Sequence, residues 1–208
     1  MIDIVIPSYE GQSKKLIKVM DDIKNVTTIP YNIIAVECRR SAAENINTGL
    51  RIANTPYVCI VDNDIVPKPG WLEHLVKVLD KYNDIGMVSS KVVNTDGKKY
   101  VNMYSMAEYN MISEVNTVGG TCTLIRRSAG ILQDENYKGI WYNDTDFACE
   151  FRKQGWRVVI DGYSLVEHSP GNTNISEYIK HNEKYFYSKW ADMNAVKRNQ
   201  ILSTWRME

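Results

Sequence analysis

Three short apolar runs separated by helical patterns govern what this chain can fold into. Ile2 to Pro7, Tyr31 to Glu37 and Tyr57 to Val61 each read as a buried strand. Between the first two, Leu16, Ile17, Met20 and Ile23 recur at three- and four-residue spacing, which predicts a helix over about residues 14–24. Ser41 with Glu44 three positions on forms a capping box that opens a second helix, to about residue 53. Strand, helix, strand in this rhythm predicts an α/β fold with a mostly parallel central sheet flanked by helices.

The rest of the chain extends the pattern. Pro67, Pro69 and Gly70 interrupt it before a helix over residues 71–79, with Leu72, Leu75, Val76 and Leu79 on one face. Residues 85–93 read as extended, Asp96-Gly97 as a tight turn toward Tyr100, and residues 102–116 fit neither period. Gly119-Gly120 precedes a strand over 121–125, and Ser128 reads as the cap of a short helix. A helix over 144–154 closes at Gly155 and leads to a strand over 157–160. Beyond Pro170 comes a polar, aromatic tail with helical spacing at Tyr178, Ile179, Tyr185 and Phe186.

A chain of 208 residues with 44% hydrophobic content and no internal repeat suits one domain, 1–208. Lysine plus arginine equals aspartate plus glutamate at 25 each, which leaves no net field to attract nucleic acid or a membrane surface, although the tail over 172–208 keeps peripheral membrane contact open. The opening MIDIVIPSYEG has no basic leader and no apolar stretch of spanning length, so a cytoplasmic protein is expected. Cys38, Cys59, Cys122 and Cys149 lie far apart without zinc-ligand spacing and read as buried thiols.

The chemistry concentrates where the third strand ends, at Asp62-Asn63-Asp64. Ligands gather at the carboxyl ends of strands in open α/β sheets. A hard cation, Mn²⁺ or Mg²⁺, takes one or two carboxylates plus phosphate oxygens and water, and this cluster supplies them. Taken alone, the pair equally well caps a turn before the proline-rich loop.

The ordered set of motifs resembles the GT-A fold and, within it, glycosyltransferase family 2. It comprises Val5-Ile6-Pro7-Ser8-Tyr9, a helix carrying Asn45 and Gly49-Leu50, Asp62-Asn63-Asp64, Pro69-Gly70-Trp71-Leu72, Asn143-Asp144-Thr145-Asp146-Phe147, His168 and Lys189-Trp190. The likeness spans about residues 1–190. It implies a nucleotide-sugar half over 1–100, an acceptor and catalytic half over 101–171 and a helical tail over 172–208. It further implies transfer of a sugar from a nucleotide-diphosphate donor to a glycan or other hydroxyl-bearing acceptor.

The roles the resemblance implies fall on particular residues. Asp64 would bind the metal directly, with His168 adding an imidazole that suits Mn²⁺ better than Mg²⁺. Asp62 and Asn63 would face the donor. Asp144, in the first turn of its helix, would take the acceptor proton, with Asp146 as the substitute base and Asn143 standing where the family usually has glutamate. Pro7, Ser8, Tyr9 and Glu37 would hold the nucleoside, Asn45 would join the substrate-binding residues, and Arg39-Arg40 would neutralise phosphate. Gly119 and Gly120 would let the sugar approach the backbone, and Trp141 would offer it an apolar platform. Inversion with Asp144 as base is the expectation. A retaining transferase uses the same acidic pair, and a nucleotidyltransferase or a non-catalytic sugar-binding module remain as other classes; Pro7-Ser8-Tyr9-Glu10-Gly11, with one glycine and no arginine, is a poor triphosphate loop.

Overall fold

The computed structural model describes residues 1–94, 109–168, 176–191 and 201–205. Among the described residues nine strands form one sheet: β1 (Ile2–Ser8), β2 (Tyr31–Glu37), β3 (Tyr57–Val61), β4 (Ile65–Pro67), β5 (Ile85–Asn94), β6 (Ile112–Val115), β7 (Cys122–Arg126), β8 (Arg157–His168) and β9 (Ile201–Trp205). Helices α1 (Ser13–Val26), α2 (Ala42–Ile52), α3 (Trp71–Lys81), α4 (Asn143–Lys153) and α5 (Ser176–Lys189) accompany it. The path across the sheet is β2-β1-β3-β7-β5-β8-β6-β9, with β4 paired to β8.

The α/β class holds, and the pairings sharpen what parallel means here. β1 pairs parallel with β2 and β3, and β5 with β8, whereas β7 enters between β3 and β5 antiparallel to both. β1, β2, β3, β5 and β8 therefore point the same way, and β4, β6 and β7 run against them. Helical crossovers α1 and α2 return the chain to the same end of the sheet and so enforce parallel neighbours. Other differences are local. Ser128 sits inside a single 3-10 turn, Arg127–Ala129, rather than capping a helix. Pro67 ends a short strand, tolerated because β4 lies off the main path. β8 runs on to His168, eight residues past the expected end, and Asp96-Gly97 lies outside the described residues.

Alternation divides the core between the two faces. Ile2, Ile4 and Ile6 point to the α1 and α3 side, where Leu72, Leu75, Val78 and Leu79 are wholly buried; each such side chain contributes about 1.5–3 kcal/mol. Val5 points the other way, toward Ile46 of α2 and Phe147 and Phe151 of α4. The capping box at Ser41 is present in both directions: Ser41 Oγ accepts from Glu44 N–H, and the Glu44 carboxylate accepts from Ser41 N–H. All four cysteines are free, three of them buried and Cys38 half-buried.

Gly49 marks where α2 presses closest on the sheet. A methyl group there would stand against Val5, with Cγ2 at 2.9 Å, and Val5 is fully buried and stiff. Gly49→Ala is therefore expected to lower stability by about 1–3 kcal/mol in denaturant melts, despite alanine's better helix propensity. Unchanged stability would mean that α2 can lift off β1 freely.

Candidate active site

Because β1, β2, β3 and β8 share a direction, their carboxyl ends lie on one edge of the sheet. The loop before the antiparallel β7 starts from that edge as well. Asp62 follows β3 directly, and its N–H bonds the carbonyl of Thr121, which ties the acidic cluster to the Gly119-Gly120-Thr121 loop. Three residues later, Ile65 pairs with His168, so β4 swings Asp64 alongside the end of β8. His168 Nε2 lies 3.0 Å from Asp64 Oδ1. One ligand atom from each of Asp62, Asp64 and His168 lies within 4.8 Å of the others.

The two carboxylates differ in how tightly they hold a proton. Burial, then the neighbouring charge of Asp64, pushes Asp62 up to about 6. Burial acts the same way on Asp64, but the His168 hydrogen bond and charge and the Lys15 ammonium at 3.6 Å outweigh it and hold that carboxyl below its ordinary value. For His168, burial pulls down while the Asp64 hydrogen bond and the Asp62 and Asp64 charges push up, with a net rise. Two carboxylates and an imidazole make a donor set that fits a divalent cation. With these atoms within 4.8 Å of one another, the three side chains would be the residues to hold a divalent cation.

Asp144 reaches the same loop from the far side. Its Oδ2 accepts Gly120 N–H at 3.0 Å and its Oδ1 accepts Thr145 N–H at 2.7 Å. Burial nevertheless raises its carboxyl above the usual range, and its charge in turn contributes to the rise at Asp62. A Cβ at Gly120 would lie 3.3 Å from Asp144 Cβ, so the glycine lets the two approach. Trp141, half-exposed, precedes the helix with φ at 84°, and Tyr142 follows at 68°. Left-handed backbone at two successive aromatic residues is strained and points to a functional loop.

On the nucleoside side the polar residues mostly fasten one another. Asn63 Nδ2 donates to Ser8 Oγ and Gln12 Oε1, both at 2.8 Å. Asn45 Nδ2 donates to the carbonyls of Ser8 and Cys38, joining the ends of β1 and β2, while its buried Oδ1 has no hydrogen-bond partner. Glu37 accepts from Gly11 N–H and Ser13 Oγ, both at 3.0 Å, and so shapes the loop after β1. Tyr9 stands exposed on that loop, just beyond Pro7 and Ser8 of β1. Arg39 pairs with Glu10, and Arg40 contacts Thr48.

Asp146 is not brought to the cleft with Asp144. It is fully buried, taking hydrogen bonds from Tyr137 Oη (3.1 Å), Trp190 Nε1 (2.7 Å) and Lys189 Nζ (2.9 Å). Helix periodicity explains this: two residues on from Asp144 is the opposite face, here turned to α5. Sequence reasoning missed Lys15, Gln12 and Asn182. The first two lie on or beside an unremarkable amphipathic helix, and only the distant ends of β3 and β8 give them a role.

Several known proteins resemble this chain in sequence or in fold. The sequence profile of the family described as "Glycosyl transferase family 2" matches residues 10–132. Two poly-beta-1,6-N-acetyl-D-glucosamine synthases of Staphylococcus epidermidis align over 172 residues at 21% and 20% identity, covering 77% of this chain and 40% of each synthase. The chain thus spans well under half the length of these relatives. Among solved structures, S. aureus TarS 1–349 superposes with a TM-score of 0.71 at 12% identity, over 93% of this chain and 66% of that one. TarS 1–349 in complex with UDP-GlcNAc gives 0.69 at 11%, over 93% and 67%. At such identities the likeness speaks for the fold, which is the GT-A arrangement. Among the described residues no helix is long and apolar enough to cross a membrane.

Proposed function

This chain belongs to glycosyl transferase family 2, and from that premise we propose that it moves a sugar from a nucleoside diphosphate to an acceptor hydroxyl with inversion. The observation that carries the reading is the meeting of Asp62, Asp64 and His168 at one sheet edge, with Asp144 facing them across Gly120. A divalent cation bound there supplies positive charge against the diphosphate that leaves.

Asp64 and His168 would hold it most directly, with Asp62 completing the set on the side of the donor. Asp144 accepts the acceptor's proton as that oxygen bonds the anomeric carbon. The bond from that carbon to the diphosphate oxygen breaks, and the nucleoside diphosphate keeps the electron pair. Gly120 and Thr145 N–H groups aim the carboxylate, and burial makes it a better base than an exposed aspartate. Trp141, standing exposed beside it, offers the acceptor sugar an apolar face. Ser8, Tyr9 and Glu37 bound the nucleoside pocket.

UDP-GlcNAc is the first donor to test, since it is the ligand of the TarS complex. UDP with Mn²⁺ should raise the melting temperature, because a ligand bound only to the native state stabilises it. No shift, together with no hydrolysis or transfer of UDP-GlcNAc or other nucleotide sugars, would sink the reading. The anomeric configuration of the product, read by NMR, separates inversion from retention.

Mn²⁺ affinity should depend on pH in a definite direction. Asp62 and His168 both hold protons more tightly than their free counterparts, Asp62 up to about 6, and a cation must displace those protons. Binding is thus weak below that value and strengthens as pH rises through it. Calorimetric titration at about pH 5 and about pH 8 checks this; equal affinities would contradict the ligand set.

A further inference from the structure

We propose that helix α5 is a positioning element for catalysis, with Asn182 holding the strained turn at Trp141 and Tyr142 and thereby setting where Asp144 stands. The inference rests on the reading of Asp144 as the base. Asn182 is fully buried and is not a member of the cation cluster. Its Nδ2 is shared among the carbonyls of Lys138 (2.8 Å), Ile140 (3.1 Å) and Trp141 (3.0 Å), and its Oδ1 accepts Lys138 N–H at 3.0 Å. One side-chain amide thus collects the backbone of the whole turn.

The rest of α5 grips the same segment. Tyr142 Oη donates to Glu183, and the Tyr142 ring packs on Phe186 with centroids 5.3 Å apart. Gly139, at φ 61°, lies so close to the Tyr178 ring that a Cβ would come within 2.7 Å of it. Just beyond Asp144, the buried Asp146 carboxylate is held by Lys189 and Trp190. Asp144 therefore stands between two clamps, Asn182 before it and Lys189-Trp190 after it. A non-glycine left-handed backbone persists only where its surroundings over-determine it, and α5 provides that determination. The payoff is geometric, since a base misplaced by about 1 Å costs about 10²-fold in rate.

The test is Asn182→Ala in the full chain. Amide hydrogen exchange over residues 138–147 should quicken by at least about tenfold while β1 to β3 keep their protection. The Kd of UDP with Mn²⁺ should stay the same, and kcat with UDP-GlcNAc should fall by about 10²-fold at unchanged donor KM. A residue that serves stability alone would instead lower melting temperature and leave kcat per folded molecule intact. Unchanged exchange at 138–147, or faster exchange with unchanged kcat, overturns the proposal. Should Asn182→Ala fail to fold, Lys189→Met releases the second clamp and is read the same way. Faster exchange combined with an Asp144→Asn variant as active as the parent would leave α5's grip standing and remove the base assignment instead.

Discussion

Replacing Asp144 by asparagine should lower turnover by about 10²- to 10⁴-fold while the protein folds normally and binds UDP with Mn²⁺ as before. The substitution is nearly isosteric, and its amide oxygen can still accept from Gly120 N–H or Thr145 N–H, so the loop keeps its shape. What disappears is the ability to take a proton at that point. The parent's pH profile supplies an independent check. A base works only when ionised, and burial raises this carboxyl, so activity should be lost as pH falls through a value above the ordinary aspartate range. Near-normal turnover by the asparagine variant, with a donor known to work, would remove Asp144 from the mechanism.

Asp64→Ala should cost a comparable 10²- to 10⁴-fold, roughly, but for a different reason and with a different signature. Asp64 is the carboxylate nearest both His168 and Lys15. Without it the donor set falls to one carboxylate and one imidazole, and the stabilisation that Mn²⁺ with UDP gives to the parent should vanish. The two variants therefore separate cleanly in a thermal-shift assay: Asp144→Asn keeps the ligand-induced rise and Asp64→Ala loses it. An alanine variant that still shows the full rise would place the ion elsewhere.

Much of this was legible in the sequence because it depends on short-range pattern. The βα rhythm of the first eighty residues, the Ser41 capping box and the acids at the end of β3 each need only a few neighbouring residues to be recognised. Asp146 shows where such reading stops. Its spacing from Asp144 made it an alternative base, yet only the packing of α5 reveals that its carboxylate is saturated by Tyr137, Lys189 and Trp190. β7 was legible as a strand but not in its direction, since nothing local in residues 122–126 says that it will enter antiparallel between β3 and β5. Asn182 carried no signal at all, because an asparagine within a helical pattern looks like surface until the carbonyls it gathers are seen around it.

The partnership of Asp64 with His168 joins points 104 residues apart along the chain. Any ion seated between them would act as a rivet, closing a long loop in the manner of a covalent crosslink and fastening the margin of β4 to the tip of β8. Stripping that ion with a chelator would then cost the protein rigidity as well as reactivity.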